Sequence, residues 1–124
     1  MCNELEFTTA IKDGGLYYPP TYSSDGFVHA AKDAAFLLTI GNAYYKTSIG
    51  NWILLVLDEN KFDAGVVRYE PAAPVGGVKA DYASVSASVP HFPHIYSGIR
   101  AMHVVERRNI VRDAAGNFLT IEGI

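Results

Sequence analysis

Three short stretches hold most of the side chains able to do chemistry: Asp25-Gly26-Phe27-Val28-His29, Arg68-Tyr69-Glu70 and His91-Phe92-Pro93-His94-Ile95-Tyr96. An imidazole changes charge near neutral pH, so His29 and His94 suit acid or base work, or contact with an anion or a sugar hydroxyl. The other reading of His29 is a ring that fills a core edge and bonds a backbone carbonyl. In a strand, Arg68 and Glu70 share one face. A guanidinium there can fork a phosphate, and a carboxylate beside it can orient a hydroxyl or act as a base. The plainer alternative is an ion pair between the two.

His91 and His94 have the H-x-x-H spacing of a metal pair on a helix, but Pro93 between them opposes a helix. Zinc needs three or four ligands, and His29 and His103 lie in unrelated settings with Cys2 the lone cysteine. No metal is therefore expected. The economical reading is a turn set by Pro93 that aims His94 and Tyr96 into a cleft, with His91 at the end of the preceding loop. A fourth group, Tyr17, Tyr18, Pro19, Pro20 and Tyr22, can stack a planar ring or form a lid packed on the core. Gly76-Gly77 lacks the spacing and the Lys-Ser/Thr of a phosphate-binding loop.

The elements that must position these residues are short. Asn3 and Glu6 form a capping-box pattern that starts a helix over 3–12, and Gly14-Gly15 ends it. The Pro- and Ser-rich stretch 16–26 reads as loop. Residues 27–30 read as a short strand, and 31–41 as a helix stopped at Gly41. The apolar run Trp52–Leu57 opens a central strand over 52–60, and residues 65–71 alternate as another, ending at Pro71. Residues 72–90 are small and polar without period, a long loop for a chain of this size. Residues 100–112 read as one long strand or two, 113–117 as a turn, and the end as a short closing segment. The class is α+β, in one domain of 124 residues.

A net charge of −3 argues against general nucleic-acid binding, which relies on basic stripes. The basic run 106–112 reads as a solvated face. The longest apolar run is too short to span a bilayer. With no apolar leader at the start, the expectation is a cytoplasmic protein with no membrane association. Cys2 sits where chains fray and receives no role.

The stretches Asp25–Ala31, Leu54–Asp58, Val67–Pro71, Phe92–Ile99 and Val104–Phe118, taken in order, resemble the family known as domain of unknown function 952 (DUF952). The resemblance rests most on Gly26-Phe27-Val28-His29 and Phe92-Pro93-His94-Ile95-Tyr96. It implies an ADP-ribosyltransferase-like fold, a compact split β-core with two or three flanking helices. Relatives of that fold cleave NAD at the nicotinamide–ribose bond or use NAD to remove a 2′-phosphate from RNA. By that resemblance His29, His94 and Glu70 are the catalytic candidates and Arg68 and Tyr96 ligand-binding ones; the aromatic loop adds Tyr18 and Tyr22 as ligand-binding candidates. NAD is the candidate cofactor, and a small molecule or nucleotide the candidate ligand. Two alternatives stay open: a binding module without catalysis, and a metal-dependent hydrolase using His91 and His94. The family begins with a short strand before its first helix, and this chain reads as starting at the helix. The family's first strand is then missing or replaced by another segment, and an open edge there would suit a homodimer.

Overall fold

The computed structural model describes residues 1–77 and 91–124. Its architecture is α+β, with two antiparallel sheets and three helices. The chain runs β1 (Cys2–Asn3), α1 (Glu4–Ile11), α2 (Tyr22–Asp25), β2 (Val28–His29), α3 (Phe36–Tyr44) and β3 (Trp52–Leu57). It continues through β4 (Val67–Glu70), β5 (Phe92–Ile95), β6 (Val104–Arg112) and β7 (Phe118–Ile121). One sheet has the order β1-β3-β6-β7 and the other β2-β5-β4.

The apolar run of β3 is continuous because both of its faces are buried. Ile53 joins Cys2, Phe7, Val28, Ile95 and Ile99 in a core beneath α1 and the second sheet. Trp52 and Leu54 point the other way, into a core with Leu37 of α3 and with Ile110, Phe118 and Ile121. Phe7, fully buried, is worth about 2–3 kcal/mol by area removed from water. Asn3 caps α1 as its residue type suggests, its Oδ1 accepting from the Glu6 amide at 3.1 Å.

Several expectations change. A first strand does precede α1: Cys2 pairs with Ile53 and Asn3 with Trp52. Two residues are too few for periodicity to reveal, and the same pairing buries Cys2, which does not fray. Burial pushes its thiol up to about 11, against the opposing amino terminus. The 16–26 segment is not all loop. Tyr22–Asp25 makes one helical turn, closed by Gly26 at φ +81°, a left-handed conformation that glycine adopts without strain.

The helix expected over 31–41 instead spans Phe36–Tyr44, with Gly41 inside it. Gly41 is there for packing: a Cβ would lie 2.6 Å from the Phe118 ring. Pro93 sets no turn but sits within β5, the middle strand of its sheet. Its carbonyl accepts from the Ala30 amide at 3.1 Å just beyond the end of β2, so the missing N–H falls where that ladder stops. Residues 101–103 form a tight turn before a single strand, β6. The strand expected over 52–60 ends at Leu57, and that over 65–71 occupies Val67–Glu70.

The basic run is not uniformly solvated. Arg108 pairs with Glu106 at 2.7 Å and Arg107 lies over the Phe7 ring, while Arg112 reaches inward to backbone carbonyls. Residues 72–77 carry no helix or extended strand, and the rest of the segment read as a 72–90 loop, with its serines at 84, 86 and 88, lies outside the described residues. No helix among the described residues is long and apolar enough to cross a membrane.

Candidate functional site

The three-stranded sheet sorts its side chains by parity. Val28, Val67 and Ile95 face the core. Alternation puts Phe27, His29, Arg68, Glu70, Phe92, His94 and Tyr96 on the opposite face. The register makes a row of chemistry across the strands, since His29 pairs with His94 and His94 with Arg68. All five residues singled out from the sequence, His29, Arg68, Glu70, His94 and Tyr96, thus meet in one contact cluster. The His29 and His94 rings stand edge to face, with centroids 5.6 Å apart.

Each histidine is held by its own carboxylate. His94 Nδ1 donates to Glu70 Oε1 at 2.9 Å, and the Tyr96 hydroxyl donates to the same oxygen at 2.5 Å. An ionised carboxylate only accepts, so the neutral His94 ring carries its proton on Nδ1 and a lone pair on Nε2. His29 is the reverse: Nε2 donates to Asp25 Oδ2 at 2.8 Å, leaving Nδ1 with the lone pair. Asp25 also accepts from the Gly76 amide through both oxygens, at 3.1 and 3.0 Å, which ties the 72–77 segment to the site. Arg68 spreads over the Tyr96 ring at 4.5 Å, while its Nε donates to the Gly65 carbonyl.

The electrostatics follow from these contacts. Hydrogen bonds from Tyr96 and then His94 hold the Glu70 carboxyl below its ordinary range, and the same bond raises the Tyr96 phenol. Burial is the largest single influence on Asp25 and pushes it up. The Gly76 amide, His29 and Ser24 together overcome it and hold that carboxyl low. Burial lowers His29, with Asp25 opposing and His94 adding to the fall.

Two cavities adjoin the cluster. A small one of about 40 Å³ has both His29 and His94 in its wall, with Val75 and Phe92. A larger cleft of about 390 Å³ lies against the core side of the second sheet and the 54–57 end of β3. Its lining is mostly apolar, with His29, Lys32 and Glu59 among its ionisable groups, besides the hydroxyls of Tyr17, Thr21, Tyr45 and Tyr69. That volume is in the range of small-molecule sites. Met1, His29, Ala30, Leu37 and Tyr45 border both spaces, so the two are neighbours. Among the described residues, Arg68, Glu70 and Tyr96 line neither cavity; they support the two that do.

Other residues read from the sequence fall elsewhere. Tyr18 and Tyr22 pack edge to face on each other at 4.8 Å and border neither cavity, whereas Tyr17 and Pro19 of the same loop line the larger one. His91, three residues from His94 along extended chain, points the other way and is exposed, while His94 is 2% exposed. No group of three or more potential metal ligands gathers among the described residues. The sequence places Asp25 and Phe27 in the same stretch as His29 but gives neither a role. Phe27 stacks on the His94 ring at 4.0 Å and touches His29 and Tyr96 at 4.7 and 5.4 Å. Their signals were the two-residue step from Phe27 to His29 and a carboxylate four residues before a histidine across a glycine.

One pH prediction arises here. The folded state lowers His29 and also the buried His103, whose Nδ1 accepts from the Arg100 amide at 2.9 Å. His103 is lowered by burial first, then by Arg100 and Lys61. The unfolded chain therefore binds these protons first as pH falls. Their stabilisation is complete above about pH 6.5, the ordinary histidine value, and is lost as pH drops through the folded pKa values. The depressed Asp25 and Glu70 add a second loss below about pH 4.5. Urea unfolding at pH 7.5 and 5.5 is expected to show a fall that is shallower in the His29→Asn, His103→Asn double variant. An equal fall in both proteins would remove these histidines as its cause.

No curated protein matches this chain. Among solved structures, it is similar to the crystal structure of protein CC0527 from Caulobacter crescentus, with TM-score 0.68 and 16% identity. The match covers 95% of this chain and 89% of that one, and a double mutant of the same protein matches equally. At that identity the likeness concerns the fold. The model of the family described as "Protein of unknown function (DUF952)" matches residues 2–107, and the chain belongs to that family.

Proposed function

We propose that the protein binds an NAD- or ADP-ribose-type nucleotide in the larger cleft and acts on its glycosidic bond beside His29. The observation that carries this reading is the pair of carboxylate-held imidazoles beside a nucleotide-sized cleft: His29 borders that cleft and a much smaller cavity, and His94 borders the smaller one. The resemblance of the ordered motifs to an ADP-ribosyltransferase-like split β-core supports it. The apolar wall of the cleft suits a planar base or pyridine ring. His29, with its Nδ1 lone pair, suits a ribose hydroxyl that donates a hydrogen bond. Arg68 supplies positive charge next to Tyr96 at the rim of the cluster.

Calorimetric titration of the protein with NAD and with ADP-ribose tests this. Saturable heat is expected, weakened at least about tenfold by His29→Ala, the size of one lost hydrogen bond of about 1.4 kcal/mol. No heat at millimolar ligand would count decisively against the reading. Binding that survives while nicotinamide is never released would leave a binding module in its place.

A further inference from the structure

We infer that His94 is the general base for an oxygen nucleophile seated in the small cavity, with Glu70 as its positioning residue, so that the group leaving the nucleotide is transferred to water or a hydroxyl. The inference rests on the reading above for the nature of the donor. Three observations carry it.

First, Glu70 Oε1 is already taken by the His94 Nδ1–H and the Tyr96 hydroxyl, which suits it to orienting an imidazole rather than to meeting substrate. Second, that bond leaves the His94 lone pair on Nε2, the form a base needs, and Phe27 stacked on the ring at 4.0 Å fixes its plane. Third, the cavity His94 borders is about 40 Å³, room for a few waters or one hydroxyl and far below a nucleotide. It adjoins the nucleotide-sized cleft through His29. The donor and the nucleophile thus have separate spaces that share a wall, in which His29 is the imidazole.

The step balances. His94 Nε2 takes the proton of the O–H group as the new C–O bond forms at the anomeric carbon. The bond from that carbon to the pyridinium nitrogen breaks, and its electron pair leaves with neutral nicotinamide. The proton then passes from His94 to solvent, so one nicotinamide and one proton appear per turnover.

Two measurements on the full chain test this. A ligand-free ¹⁵N–¹H multiple-bond correlation reads the tautomers directly: His94 is expected with its proton on Nδ1, and Glu70→Gln is expected to abolish that single preference. Nicotinamide release from NAD is then followed with and without sodium azide, an anionic nucleophile that needs no base. His94→Ala is expected to slow release by about 100-fold or more in water, with azide restoring it to within about tenfold and yielding the glycosyl azide. Glu70→Gln, nearly isosteric, should show a smaller loss with the same rescue, and it serves if His94→Ala does not fold. A His94 proton on Nε2 in the parent protein overturns the inference. So does azide failing to rescue a folded variant that still binds NAD. A parent protein that neither binds NAD nor releases nicotinamide removes the nucleotide reading itself, and this step falls with it.

Discussion

Replacing Arg112 by alanine is expected to destabilise the protein by about 3 kcal/mol, the upper end of what one charge-assisted hydrogen bond contributes. One guanidinium nitrogen, Nη2, reaches the carbonyls of Tyr45, Ser48 and Gly116 at 3.2, 2.7 and 3.3 Å, with Lys46 at 3.4 Å, and Nη1 reaches Gly50 at 3.1 Å. The ring of Phe118 lies 4.4 Å beneath. The side chain thereby closes two segments without regular structure, the 45–50 connection and the 113–117 turn, against the end of β6. The two segments press so closely that a Cβ on Gly116 would meet the Lys46 carbonyl at 1.9 Å. A single charge-assisted hydrogen bond contributes roughly 1.5–3 kcal/mol and the five bonds do not add. Removing the donor also strands carbonyls that have only partial access to water. Lysine keeps the charge but not the planar fork, so Arg112→Lys should recover only about 1 kcal/mol. Urea unfolding of the three proteins checks this. A loss below about 0.5 kcal/mol for Arg112→Ala, the range of ordinary surface changes, would show the carbonyls to be satisfied by solvent.

What could be read from the sequence followed length and local chemistry. The central strand was legible because Trp52–Leu57 is a six-residue apolar run, and the start of α1 because its cap is a matter of residue type. The 5.6 Å approach of His29 and His94 was legible as a question but not as an answer. It depends on a register between β2 and β5, sixty-five positions apart in the chain, and no local pattern sets a register. Elements fixed by tertiary contact were misread. The pairing of Cys2 with Ile53 involves two residues. Gly41 looks like a stop until Phe118 is seen resting on it, and Pro93 looks like a turn until its carbonyl is seen to meet Ala30. Arg112 is the clearest case. In sequence it belongs to a basic run, and only the fold brings five carbonyls within its reach.

Phe27 shows how far the site depends on a residue that does no chemistry, and its replacement is the second change expected to have a large effect. The ring is 9% exposed and is the only described side chain in ring contact with His29, His94 and Tyr96 together. Phe27→Ala is expected to cost about 3–4 kcal/mol, the usual loss for emptying a buried aromatic position. It should also free the His94 ring, since the space left lies directly against its plane. Phe27→Leu separates the two effects. It nearly conserves volume and should cost under about 1.5 kcal/mol, yet it supplies no flat surface to hold the imidazole at an interplanar angle of 19°. The leucine variant is therefore expected to unfold close to the parent in urea while its His94 ring signals broaden or shift and the preference for the Nδ1–H tautomer weakens. If the imidazole signals of Phe27→Leu stayed those of the parent, Glu70 and Tyr96 alone would suffice to hold His94, and Phe27 would be only a part of the core.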